Sequence, residues 1–297
     1  MKRWLSLFLA AWITVSLSGC SLPRAENINT PVSSWEESTP ASSGSDEETQ
    51  PPVTINEQVL LDEQDVCITA TGLDSRENSG AHLKMKIENH SKQDLTVQTR
   101  RTSINGYMLD AICSVVVPAG ETVNDSILFL NSSLALCGIT TVADLEFTFA
   151  LFSSDWSEYL VSQPVRITTS AAEGYAYPRN DDGREIYNNN DIRIVSKGLS
   201  GNTSLWGPGL LLYIENNSSQ PVTLQSTQAV LGETPIDILF SETIDAGKCT
   251  HAVVSLIGCG LEENSTSRLT SLTLNFTAVQ ADTQAELFKT DAIMLEF

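Results

Sequence analysis

The chain repeats itself. Residues 83–149 lie over residues 210–276 at a constant offset of 127 with no gap. Leu83, Met85 and Ile87 fall on Leu210, Leu212 and Ile214, while Glu88-Asn89 and Ser91 fall on Glu215-Asn216 and Ser218. Leu95-Thr96-Val97-Gln98 matches Val222-Thr223-Leu224-Gln225, and Ala119-Gly120 meets Ala246-Gly247. Further on, Leu145, Phe147 and Phe149 meet Leu272, Leu274 and Phe276. Upstream, Val66, Ile68, Gly72 and Leu73 match Ile192, Ile194, Gly198 and Leu199 after a slip of one residue. Whatever fold one copy adopts, the other must adopt as well.

The matched apolar residues recur at every second position, the period of a strand with one buried face. Such runs return at roughly ten-residue spacing, separated by Gly, Asn, Ser, Asp and Pro. Each copy therefore reads as about seven to nine short antiparallel strands, enough for a sandwich of two sheets in an Ig-like arrangement. The expected fold class is all-β: two tandem Ig-like antiparallel β-sandwich modules after a disordered tether. A single helical turn is expected around Ser132 to Leu136, capped by Asn131 or Ser132. Glu88-Asn89-x-Ser91 and its repeat Glu215-Asn216-x-Ser218 read as turns, with Asn tolerating a positive φ and Ser bonding its own backbone. A duplicated ligand or metal site is the alternative reading.

The N-terminus is built differently. Lys2 and Arg3 precede a mostly apolar stretch from Trp4 to Val15, too short to span a membrane, which takes about 20 residues. Leu17-Ser18-Gly19-Cys20 follows and resembles the lipobox of bacterial lipoproteins. The resemblance implies cleavage after residue 19 and a diacylglyceryl group on the Cys20 sulfur. The chain would then sit lipid-anchored on the extracytoplasmic face of the cell membrane, with the membrane itself as its first partner. Residues 20–52 are rich in Ser, Thr, Pro and Glu and lack the apolar residues that offset ordering entropy, so they read as an extended tether. The first module is assigned to 53–174 and the second to 175–297, with the boundary inside the polar stretch Ala171 to Asn190. Together the modules resemble the uncharacterised tandem Ig-like modules of Gram-positive lipoproteins. The Cys…Trp…Cys pattern of antibody domains is missing, so the resemblance extends only to architecture.

Formal charge is 17 − 37 = −20. Such a chain is repelled by nucleic-acid phosphates, and no nucleic-acid partner is expected. Six cysteines are present, and with Cys20 lipidated five remain, an odd number that excludes a complete disulfide framework. Cys113 aligns with Phe240 and reads as a core residue, whereas Cys67 reads as outward-facing. Cys137 and Cys259 fall in loops and Cys249 near a strand start. Cys249 with Cys259 is the candidate disulfide, because both lie in one copy of an exported chain. The alternative is free thiols.

Chemistry is sparse. Asp181, Asp182, Glu185 and Asp191 concentrate oxygen ligands at the module junction and are weak calcium candidates, although their spacing is not that of an EF-hand loop. Trp156 and Trp206 sit in polar, loop-like surroundings and are the candidate ligand-binding residues, fit for a glycan or an envelope protein. The packing alternative makes each the cap of a core. His82, His90 and His251 are scattered, and no catalytic motif or cofactor fingerprint is present. The expected function is a non-catalytic binding, scaffolding or spacer module of the cell envelope, with no cofactor. An accessory or sensory subunit of a transporter or envelope enzyme is the second reading. A hydrolase built from scattered Asp and Glu is the third.

Overall fold

The computed structural model of the protein describes residues 52–204, 207–257 and 270–297. The signal segment, Cys20, nearly all of the tether, Trp206 and Cys259 lie outside the described residues.

Each copy is a two-sheet sandwich. In the first, β1 (Gln58–Glu63), β2 (Val66–Glu77), β3 (Gly80–Asn89) and β8 (Thr122–Leu130) pair in that order as one sheet. The facing sheet holds β4 (Leu95–Ile104), β9 (Asp144–Ser153), β10 (Glu158–Val161) and β11 (Val165–Thr168). Leu83, Met85 and Ile87 of β3 are buried between the sheets while Lys84 points outward, so the two-residue period is realised as expected. Two short strands then change sheets. β6 (Ala111–Ile112) pairs with β8, and β7 (Ser114–Val117) pairs with β4 across the gap at Cys113.

The second copy repeats this plan with β12 (Arg184–Asn189), β13 (Ile192–Ser204), β14 (Gly207–Asn216) and β17 (Cys249–Ile257) in one sheet. The other contains β15 (Val222–Leu231), flanked by β16 (Thr234–Ile244) on one edge and by β18 (Ser271–Leu274) and β19 (Thr277–Gln280) on the other. β20 (Glu286–Lys289) and β21 (Ile293–Glu296) extend this sheet. Here β16 is unbroken and joins both sheets itself, pairing with β17 only at Asp237–Leu239.

The helical turn is α1 (Asn131–Leu136), where the sequence places it. Its capping differs from expectation. Leu130, which has no polar side chain, occupies the N-cap position, and the Asn131 Nδ2 donates to the Asn78 carbonyl at 2.7 Å.

The repeated Glu-Asn-x-Ser motif shapes both copies, although neither asparagine has a positive φ. Asn89 is buried, and its Nδ2 donates to the carbonyls of Gln93, Val117 and Pro118 at 2.9, 2.9 and 3.1 Å. Its Oδ1 accepts from the Ser91 amide and hydroxyl at 3.0 and 2.6 Å. Asn216 does the same with the carbonyls of Gln220 and Ile244 and with Ser218. Each asparagine thus ties the end of one strand to the last residue of a strand in the facing sheet. Replacing either by Ala strands buried carbonyls and should cost about 2–3 kcal/mol in denaturant unfolding. Ser91→Ala, which removes one partly exposed hydroxyl, should cost about 1 kcal/mol or less.

Candidate binding site

Two places collect functional side chains: the seam between the sandwiches and one outer face of the first sandwich.

The seam begins at an Asn105-Gly106 turn, where both residues have positive φ (53° and 81°) and the hairpin leads into β5 (Tyr107–Met108). β5 pairs in parallel with the start of β17, Tyr107 opposite Cys249 and Met108 opposite Thr250. The Cys249 amide donates to the Gly106 carbonyl at 3.0 Å, and the Thr250 hydroxyl donates to the Met108 carbonyl at 3.1 Å. Tyr107 is buried, stacked on His251 at 5.8 Å and edge-on to Tyr213 at 6.4 Å. Its hydroxyl accepts from the Asn180 amide at 2.6 Å, and burial pushes its pKa up to about 12. The Arg179 guanidinium lies over the same ring and donates to the Cys249 sulfur at 3.1 Å. Outside this core, Lys248 meets Glu146 at 3.1 Å and Arg101 meets Asp245 at 2.6 Å.

The Cys249 thiol is buried and free, and its expected partner Cys259 lies outside the described residues. Burial raises its pKa to about 11 and that of Cys137 to about 12, so both stay protonated and unreactive at neutral pH. Cys67 and Cys113 are also free and partly buried, and Cys113 packs against the first core.

The junction acids are engaged by protein cations and do not converge as calcium ligands. Arg193 takes Asp181 at 2.8 Å and Glu185 at 2.9 Å, and Lys197 takes Asp182 at 2.9 Å. These hydrogen bonds hold the Glu185 and Asp182 carboxyls below the usual range. Asp191 stands apart in the β12–β13 turn with φ 59°, next to Asn190 with φ 51°. Among the described residues no group of three His, Cys, Asp or Glu side chains is arranged to hold a metal ion.

Trp156 has the opposite character: it is 60% exposed. It ends the β9–β10 turn with φ 64°, an uncommon backbone for a bulky side chain. The equivalent β19–β20 turn ends in Gln284 with φ 58°, so the turn demands the left-handed residue but not the indole. Asp155 locks the tip, its Oδ1 accepting from the Ser153 and Ser157 hydroxyls, both at 2.6 Å, and from the Ser157 amide at 3.1 Å. Those bonds hold its pKa down to about 2. The indole lies 6.1 Å from Phe152, whose ring carries Arg100 at 5.1 Å. Across the same outward face, Phe152 pairs with Thr96 and Thr96 with Val116, itself 60% exposed. The result is a flat apolar row with Arg100 and Glu158 paired over it at 3.7 Å.

No protein-family profile matches the chain, and no curated protein matches it. Among solved structures it is similar to the YadV chaperone, at 12% identity and TM-score 0.24, covering 79% of this chain and 100% of that one. The CupB2 chaperone of Pseudomonas aeruginosa shares 7% identity at TM-score 0.20, covering 73% and 92%. Red sea bream transglutaminase shares 10% at 0.19, covering 82% of this chain and 31% of that one.

Because Trp156 supports no core, Trp156→Ala should change unfolding free energy by no more than about 0.5 kcal/mol. Asp155→Ala should speed amide exchange at Trp156 and Ser157 while leaving the rest of the chain protected. The Asp155 pKa is depressed, so its contribution holds above the ordinary carboxylate range and is lost as pH falls towards 2. Protection at the tip, relative to intrinsic amide exchange at the same pH, should fall over that window in wild type and be insensitive to it in Asp155→Ala.

Proposed function

We propose that the protein is a lipid-anchored extracytoplasmic lipoprotein whose two sandwiches act as one rigid, non-catalytic binding body. The observation that carries the reading is the Trp156 face. It joins an exposed indole, Phe152 and Val116 on a preformed sheet, and none of that exposed area is needed by the core. An aromatic anchor on a flat apolar row suits a protein surface better than a small molecule, which needs a concave site. The Leu17-Ser18-Gly19-Cys20 sequence supports the anchor and the acidic, polar stretch after it supports a stand-off tether. Among the described residues no helix is long and apolar enough to cross a membrane.

Two substitutions in the full-length protein test the two halves separately. Cys20→Ser should move it from the membrane fraction to the soluble extracytoplasmic fraction, and retention would remove the anchor. A photo-crosslinking residue at position 161, beside the Trp156 face, should trap one defined envelope protein in cells. That adduct should vanish in Trp156→Ala and in Val116→Glu. An adduct pattern indifferent to both would overturn the binding face, and capture of wall glycan alone would replace the protein partner.

A further inference from the structure

The duplication makes each copy a control for the other, and one difference falls inside the core register. In the first copy Val97 of β4 faces Val115 of β7, and both are buried. The same pair in the second copy, 127 residues on, is Leu224 of β15 facing Glu242 of β16. Along β16 the inward row runs Ile238, Phe240, Glu242, Ile244, and the three apolar members are all buried in the second core. A carboxylate thus stands where its counterpart is a core valine. No hydrogen bond or ion pair to a described residue engages it. Burial and the neighbouring Asp110 raise its pKa to about 7.

Glu242 opens into the seam. A cavity of about 380 Å³ is bounded there by Thr99, Met108, Leu109, Asp110 and Glu242 together with Arg100 and Arg101. A smaller one of about 110 Å³ shares Met108, Leu109, Asp110 and Glu242 and adds His251 and Cys137. Both arginines are committed elsewhere, Arg101 to Asp245 and Arg100 to Glu158 and the Phe152 ring. Two side-chain atoms in these walls are buried without a partner, the Thr99 hydroxyl and Nδ1 of His251. The His251 Nε2 donates to the Asn180 carbonyl at 2.9 Å, which leaves Nδ1 as an unused acceptor. A buried polar atom without a partner is uncommon and calls for an explanation.

The geometry points to this seam cavity as a binding site for a small organic cation bearing a primary ammonium. Glu242, Asp110 and the Thr99 hydroxyl supply three oxygen acceptors, matching the three N–H donors of such a group. Met108 and Leu109 supply an apolar wall for the carbon chain. A bare metal ion fits poorly, since no group of three ligating side chains is arranged for one among the described residues. The site meets the Trp156 face at Arg100, which is committed to that face.

The test is calorimetric titration of the full-length protein in detergent with n-butylamine, at pH 8.5 and pH 5.5 and constant ionic strength. Asp110, Arg100, Arg101 and His251 also face the cavity, so substitution rather than pH alone must isolate Glu242. Saturable binding is expected at pH 8.5, with affinity more than about tenfold weaker at pH 5.5, where Glu242 is protonated. Glu242→Gln should weaken binding at pH 8.5 by about tenfold or more. Glu242→Val, which restores the residue of the first copy, should abolish binding while keeping or raising the melting temperature. It serves as the folded control. No saturable binding at pH 8.5, equal binding to Glu242→Gln, or equal binding of tetramethylammonium would each overturn the proposal.

Discussion

Tyr107 closes the gap between the two sandwiches, and neither core is complete without the other module. The first core includes Val195, Tyr213 and Cys249, all from the second copy, while the second core includes Met108 from the first. One residue of a hairpin, Met108, is therefore exchanged for three residues of a facing sheet. A hydrophobic core shared in this way binds the modules far more firmly than the polar contacts of a mobile linker. Residues Gln50–Phe297 accordingly form one compact unit. The polar segment 171–183 is drawn over the seam by Asn180, whose amide reaches Tyr107 and whose side chain reaches the Leu136 carbonyl at 3.1 Å.

That exchange explains why the two copies differ where they do. The Asn105-Gly106 hairpin keeps β5 paired with β4 while β5 also pairs with β17 of the neighbouring module, and the strand after it is broken at Cys113 into β6 and β7. In the second copy β16 runs unbroken, with Thr234-Pro235 at the positions of Tyr107-Met108. Proline has no amide to donate to a further strand, so this stretch of β16 does not reproduce the pairing that β5 makes.

Much of this was legible in the sequence, because it depends on period and repetition. The strand pattern and the two-sheet plan follow from alternating burial, which any sandwich must satisfy, and α1 falls at the break in that pattern. The asparagine pins were visible as the best-matched polar pair, and the local turn bonds with Ser91 and Ser218 are present, but the long-range half of their role was not legible. Their hydrogen bonds run to residues about 28 positions away, and sequence gives no sign of which carbonyls will lie near. The seam was missed for a similar reason. Its one local signal is the Asn105-Gly106 dipeptide, a hairpin turn by composition, and nothing in it says that the strand will pair in parallel with residue 249. The junction acids were visible as a cluster, but Arg193 and Lys197 neutralise them from the neighbouring strand.

The repeat also gives a criterion for separating function from architecture. A side chain that both copies share at one register is explained by the fold they share, as with Asn89 and Asn216. A side chain that only one copy carries, against the physical preference of its position, is not. Trp156 occupies a left-handed turn position that Gln284 fills in the other copy, and it leaves a large apolar ring in water. Glu242 occupies an inward position that Val115 fills, and it brings a carboxylate into an apolar row. The first exposes what folding favours hiding, and the second buries what folding favours exposing. Each therefore carries a free-energy cost that the sandwich does not recover, and a ligand that bound there would supply the compensating contact.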